Sequence, residues 1–100
     1  SLRGKSNFGA FNSAKGALRN LAQALAKEYA ENSIHVSHVI VDGGLAGERI
    51  KQRLSDFEQR VKEGKLINID NVTDAYMFLY NQSKEAWTFE LDLRTFQENW

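Results

Sequence analysis

An aromatic ring and an amine stand four residues apart in the segment FNSAK, residues 11–15. Phe11 and Lys15 lie in a stretch with helical spacing, where residues i and i+4 share one face. An ammonium group beside a tyrosine hydroxyl lowers a pKa that is ordinarily about 10 and so prepares it for proton transfer. Phe11 has no hydroxyl. The pair therefore places a cation beside a ring that has no proton to give up.

A second candidate site is the glycine-containing segment from Asp42 to Gly47, which follows an apolar run. It matches only the later two glycines of a dinucleotide-binding fingerprint, with Asp42 in the place of the first. We interpret the segment as a turn between a strand and a helix.

A helix is predicted over residues 10–30, because apolar side chains recur there at steps of three and four and line one side. These side chains are Phe11, Ala14, Leu18, Leu21, Ala22, Leu25, Ala26 and Tyr29. Gly16 costs about 1 kcal/mol relative to alanine inside a helix, so we expect a neighbour to pack against it. Asn32 and Ser33 are expected to end the helix.

Two strands are predicted farther along. Residues 34–41 are rich in β-branched side chains, and the apolar end of this run is typical of a strand covered on both faces. Residues 87–94 form the second strand, in which bulky and polar side chains alternate from Thr88 onward.

Two helices are predicted between these strands. Residues 46–63 carry many charges and a single apolar stripe, which indicates a half-exposed helix. That stripe consists of Ile50, Leu54, Phe57 and Val61. Residues 71–82 predict a helix capped by Asp70 or Asn71. We expect it to bury Val72, Ala75, Tyr76, Leu79 and either Met77 or Tyr80.

The order helix, strand, helix, helix, strand predicts an α/β fold, since helical crossovers join the strands of a parallel sheet with right-handed connections. The strand at 34–41 needs neighbours on both edges and layers on both faces. We expect these partners to come from sequence beyond this chain or from another copy of it.

Composition excludes several function classes. Thirteen basic and thirteen acidic residues cancel, so we predict neither nucleic-acid nor membrane-surface binding. Cysteine is absent, which excludes disulfides and thiolate metal sites and fits the cytoplasmic location that we predict. No apolar run approaches the roughly 20 residues that span a bilayer. No secretory signal begins the chain, and the missing initiator methionine predicts a piece of a longer protein.

Several segments together resemble the C-terminal half of a short-chain dehydrogenase/reductase. They are FNSAK at 11–15 running into ALRNLAQ at 17–23, IHV at 34–36, VIVDG at 39–43, AWT at 86–88 and ELDLR at 90–94. The last two, with the terminal Trp100, resemble an atypical branch of the family, here with phenylalanine in place of the catalytic tyrosine. The likeness implies that residues 1–100 are the C-terminal portion of a Rossmann-like doubly wound parallel sheet. The N-terminal cofactor-binding half would then be absent, and Ser1 is not the family's catalytic serine.

The resemblance also assigns roles to single residues. Phe11 takes the position of the proton donor and is not competent, while Lys15 is the partner that would hydrogen-bond the nicotinamide ribose. Asp42, Gly43, Gly44 and Leu45 correspond to the segment beside the nicotinamide, with the Leu45 backbone able to meet its carboxamide. Asp42 stands where the family has proline. Gly47 stands where it has a threonine near the phosphates.

Two functions follow from this likeness. In the first, the parent protein binds NAD or NADP and acts on a carbonyl or alcohol substrate, whereas this chain alone binds no cofactor and is inactive. In the second, the chain is a non-catalytic dimerisation or binding module. The helix at 10–30 would then pack against its copy in a homo-oligomer, which its alanines suit.

The remaining polar and aromatic residues have structural interpretations. His35 and His38 would fall on opposite faces of a strand and so would not share a metal, and we predict no metal site. Glu90 and Asp92 are expected to be exposed. The charged helix is interpreted as a solvated face, with a substrate lid as the alternative. Trp87 is expected in the core or at an interface, and Trp100 at an interface.

Overall fold

The structure is a computed structural model that describes residues 4–98. The positions of Ser1 and Trp100, for which the sequence made predictions, lie outside the described residues.

The first helix, α1, spans Gly9–Tyr29 and continues as a 3-10 turn over Ala30–Asn32. Ser33 then adopts a left-handed conformation with φ of 58°, and its N–H donates to the Ala30 carbonyl. That conformation is uncommon for a residue with a side chain and does not continue a helix. The predicted helix and its stop at Asn32 and Ser33 are confirmed.

The predicted apolar side of α1 divides into two parts. Ala22, Leu25 and Ala26 are half-buried, whereas four of the large side chains on this side are exposed to solvent. The exposed fractions are 57% for Phe11, 50% for Leu18, 55% for Leu21 and 40% for Tyr29. Nothing lies within 4 Å of the position of a Cβ on Gly16, so the expected neighbour is not found among the described residues.

The two strands, β1 (His38–Val41) and β2 (Glu90–Leu93), form a two-stranded parallel sheet. The His38 amide donates to the Phe89 carbonyl at 2.7 Å, and the Asp42 amide donates to the Leu93 carbonyl at 3.0 Å. Both strands are shorter than predicted. Before β1, side chains of the 34–37 segment bond the Thr88 carbonyl, and such side-chain bonds compete with a backbone ladder.

The predicted charged helix is two short helices, α2 (Glu48–Arg53) and α3 (Phe57–Lys62). Leu54 is extended, with φ of −108° and ψ of 119°. Ser55 and Asp56 follow it, and both residue types favour turns and caps over helix interiors. Most of this segment is exposed, as predicted for a solvated face, and Val61 is exposed too.

The last helix, α4, spans Ile69–Tyr80. Its N-cap is Asn68, whose Oδ1 accepts from the Asn71 amide at 3.1 Å, so the prediction of Asp70 or Asn71 as the cap was wrong. Leu79 is buried, and Val72 and Ala75 are half-buried. The other apolar predictions for this helix were wrong. Tyr76 is 52%, Met77 49% and Tyr80 80% exposed. Phe78, for which no prediction was made, is 55% exposed.

The described residues form two compact units. The first comprises the residues up to Ile40 together with Gln82–Leu91, and the second comprises Val41–Asn81 and the residues from Asp92 onward. Ile40 and His38 are buried in the first, and Ile67 and Leu79 in the second. The prediction of a partial Rossmann-like α/β fold is confirmed. None of the helices in the described part of the chain is long and apolar enough to cross a membrane.

Candidate functional site

Phe11 and Lys15 lie on the same side of α1, in the first unit. The Lys15 Nζ atom is 5.6 Å from the centroid of the Phe11 ring, within the range of a cation–π contact. The ring is 57% exposed. Phe8 meets its edge at a centroid distance of 6.5 Å. The helical spacing thus brings the two predicted residues together, with Lys15 exposed and the face of the ring turned toward a cation.

An ion pair ties the same helix to the second strand. The Arg19 Nε and Nη2 atoms donate to the two carboxylate oxygens of Glu90, at 2.6 and 2.9 Å. Arg19 follows Lys15 by four residues, so it lies one turn farther along the helix. This two-pronged contact joins α1 to β2 on the turn that follows Lys15.

Glu90 also reaches a buried histidine. The distance between His38 Nδ1 and Glu90 Oε2 is 3.2 Å, and His38 is 8% exposed. The Arg19 guanidinium holds the pKa of the Glu90 carboxyl below its usual range; burial opposes this, and His38 lowers it further. The expectation of an exposed Glu90 was wrong. Arg19 and Glu90 are 71 residues apart in sequence, so no local pattern indicates the pair.

The segment of Asp42, Gly43, Gly44 and Leu45 lies in the second unit and is a turn, as predicted. Leu45 forms an isolated parallel bridge with Ile67. The Ile67 amide donates to the Gly44 carbonyl and the Ala46 amide donates to the Ile67 carbonyl, both at 2.8 Å. In this pattern the backbone N–H and C=O of Leu45 itself point away from Ile67. The Leu45 carbonyl accepts from the Gly47 amide at 2.9 Å.

Gly43 is required by the conformation of this turn, and Gly44 is in tight contact with a side chain. Gly43 has φ of 142°, a conformation that side chains rarely adopt. A Cβ on Gly44 would lie 2.9 Å from Leu66 Cδ2, so Leu66 would have to move. The neighbours that pack closely against these glycines are side chains of the chain itself, Leu66 at Gly44 and Ile67 and Glu98 at Gly43.

A half-buried arginine, Arg94, contacts the first residue of the turn. The Arg94 Nη1 atom donates to Asp42 Oδ2 at 2.7 Å, and its Nε and Nη2 atoms each donate to an Asp92 oxygen at 2.8 Å. The Arg94 side chain is 11% exposed. The sequence did not predict this contact, which joins residues 52 positions apart.

The two histidines have separate structural partners. His35 Nε2 and the Ser37 hydroxyl approach the Thr88 carbonyl at 2.8 and 2.6 Å. A carbonyl only accepts, so both groups donate and Nε2 carries the proton. The His35 ring also stacks on Trp87, with centroids 4.8 Å apart. Within residues 4–98, no cluster of three or more potential ligands is placed to hold a metal ion.

Comparison with known proteins gives one informative similarity. The chain is similar to a solved short-chain dehydrogenase from Rhodopseudomonas palustris, with 38% sequence identity and a TM-score of 0.63. The similarity covers 93% of this chain, which spans about a third (32%) of the length of that protein. No protein-family model and no curated protein matches the sequence. The chain is thus like a short-chain dehydrogenase in sequence and fold along nearly its whole length.

Proposed function

We propose that this chain is the C-terminal portion of a short-chain dehydrogenase-like protein that binds NAD or NADP. We further propose that it belongs to an atypical branch in which Phe11 replaces the proton donor. The observation that supports the proposal best is the 38% identity over 93% of the chain, combined with Lys15 lying on the Phe11 side of α1.

Lys15 fits the proposed contact with the nicotinamide ribose. Its ammonium group is a three-proton donor on a flexible stem, and it lies on the exposed side of the helix. Its neighbour within reach is a ring face, which attracts a cation but accepts no conventional hydrogen bond. The contact with Phe11 uses none of the N–H donors of Lys15, so the ammonium group could donate a hydrogen bond to a ribose hydroxyl.

The 42–47 turn fits a nicotinamide carboxamide through its backbone. The Leu45 N–H points away from Ile67, and the two glycines before it carry no side chain that would block an approach. Gly47 is a departure from the family, because it offers no hydroxyl to a phosphate. We therefore expect weaker dinucleotide binding than a threonine at this position would give.

The chemistry of the site is limited by Phe11. A bound dinucleotide would supply or accept a hydride at the substrate's carbonyl or alcohol carbon. The substrate oxygen would then need to gain or lose a proton, and the side chain at position 11 has no atom that can exchange one. Loss of a general acid–base group commonly lowers rates by about 10²–10⁴-fold. We expect no ordinary carbonyl-reductase turnover from this protein.

The test is dinucleotide affinity, measured by calorimetry on the full-length protein. Lys15→Met should weaken NAD or NADP binding by about ten- to a hundredfold, since hydrogen bonds from charged groups contribute about 1.5–3 kcal/mol. Lys27→Met, in the last turn of the same helix, is the matched control and should bind as the parent does. Equal affinities for the two variants, or no binding by the parent, would contradict the proposal.

A second function, a non-catalytic assembly module, is favoured by the exposed side of α1. Phe11, Leu18 and Leu21 are each at least 50% exposed on one helix. Exposed apolar patches of this kind commonly mark interaction sites, and a second copy would present the same surface. We expect association through residues 10–30.

Light scattering distinguishes the two functions. Leu21→Glu should convert an assembled protein to the monomer mass, while Gln23→Glu adds the same charge to the same helix and should leave the mass unchanged. Assembly that is lost in Leu21→Glu, with no dinucleotide affinity in any variant, would favour the module. A protein that is monomeric before any substitution would exclude it.

A further inference from the structure

The Arg94 guanidinium donates to the carboxylates of both Asp92 and Asp42. Two of its nitrogens engage Asp92 in a fork, and the third donates to Asp42. The Arg94 side chain is 11% exposed, and the Asp42 and Asp92 side chains are 29% and 32% exposed, so these contacts remain partly open to water; the two-pronged geometry is nevertheless demanding. The fork with Asp92 fixes the plane of the guanidinium and therefore the position of the donor that meets Asp42.

Asp42 is held through both its backbone and its side chain. Its backbone N–H donates to the Leu93 carbonyl, and its carboxylate accepts from Arg94. The next anchor is the Leu45–Ile67 bridge. Between these anchors lie Gly43 and Gly44, and a glycine pair has more conformational freedom than any other. The path of the turn thus depends on what fixes its two ends.

We propose that Arg94 is a positioning residue for the 42–47 turn. By holding Asp42, Arg94 fixes the direction from which the Leu45 backbone presents its N–H to a nicotinamide carboxamide. The carboxamide part of this inference rests on the function proposed above. The positioning part does not, because it concerns only residues of the second unit.

The positioning role is tested first without any ligand, by amide hydrogen exchange of the full-length protein. Arg94→Met should speed the exchange of the Ala46 and Ile67 amides by about tenfold or more, the change expected when a charge-assisted hydrogen bond is lost. The Leu79 amide in α4 should exchange as before. Arg60→Met removes the exposed Arg60–Asp56 pair of the same unit and is the matched control, with no change at Ala46 or Ile67.

Arg94→Met removes a cation that two carboxylates share, so a second variant guards against unfolding. Arg94→Lys keeps the charge but cannot form the fork, and its effect on the Ala46 and Ile67 amides should be smaller and in the same direction. Unchanged exchange at both amides in Arg94→Lys and Arg94→Met would overturn the proposal. An equal acceleration of every amide in the second unit would also overturn it, because Arg94 would then be a general stabilising residue.

The carboxamide contact is tested by comparing NAD with ADP-ribose, which lacks the nicotinamide. Arg94→Lys should weaken NAD binding several-fold and leave ADP-ribose binding unchanged. An equal loss for both ligands, or no loss for either, would refute the carboxamide contact. If the parent protein binds neither ligand, the proposed function and the carboxamide contact both fail. In that case the exchange experiment still decides the positioning role of Arg94.

Discussion

The Phe11–Lys15 pair in the first unit and the 42–47 turn in the second unit are specified by different kinds of geometry. The pair consists of two exposed side chains on α1, which the contact between Arg19 and Glu90 joins to β2. The turn consists of backbone atoms held by a parallel bridge to Ile67 and by the Arg94 ion pair.

This difference determines how each region responds to substitution. A site made of side chains loses or gains its chemistry with one atom, as the missing hydroxyl of Phe11 shows. A site made of backbone atoms tolerates many side-chain changes, but it is sensitive to anything that alters φ or removes an anchor.

The largest expected effect is on the side-chain region, through Phe11→Tyr. The new hydroxyl stands near the Lys15 ammonium and regains the missing proton exchange, so the nicotinamide-dependent reduction rate should rise by about 10²–10⁴-fold. Steady-state assays of the full-length protein with a panel of carbonyl substrates measure it. Phe8→Tyr adds the same hydroxyl to the neighbouring ring and should have no effect. Equal rates in both variants would show that Phe11 is not at the proton-donor position.

An intermediate effect is expected in the 42–47 turn, where Gly43→Ala should lower stability. A Cβ at φ of 142° is strained even though the surrounding space admits it, so unfolding free energy should fall by about 1–3 kcal/mol. Gly47→Ala is the control, because its φ of −112° is ordinary for alanine and the nearest atom to its Cβ is 3.8 Å away. Thermal unfolding followed by circular dichroism compares them. A Gly43→Ala midpoint at or above that of Gly47→Ala would contradict the account of the turn.

The smallest expected effect is on the pH dependence of stability, through the contact between Arg19 on α1 and Glu90 on β2. The pKa of Glu90 is lowered in the folded chain, so its contribution is complete above the ordinary value of 4.5 and is lost as pH falls through the lower folded value. The unfolding midpoint should therefore drop as pH falls below 4.5. Glu90→Gln should flatten this part of the profile, whereas Glu58→Gln on α3 should not. A Glu90→Gln profile parallel to that of the parent would show that the ion pair contributes little.

Periodicity predicted the existence and order of the main elements, because α1, β1, α4 and β2 each carry a local pattern in their own residues. It placed Phe11 and Lys15 on one side of a helix for the same reason. The break at Leu54–Asp56 and the cap at Asn68 were missed, since several neighbouring polar residues were equally suitable on local grounds.

Local sequence patterns do not predict contacts between segments that are far apart in the sequence. Arg19 with Glu90 and Arg94 with Asp42 join residues 71 and 52 positions apart, and each of these charges alone is typical of a solvated side chain. Burial was overestimated for Tyr76 and Tyr80, because periodicity identifies an apolar face without showing whether anything covers it.

The exposed face of α4 has a practical consequence for handling the protein. Tyr76, Met77, Phe78 and Tyr80 are all about half or more exposed within a single 12-residue helix. A large exposed surface of aromatic and other apolar side chains favours self-association in concentrated solution. Changes meant to improve solubility are therefore best made on this helix, starting with Tyr80→Lys, and they leave α1 and the glycine turn untouched.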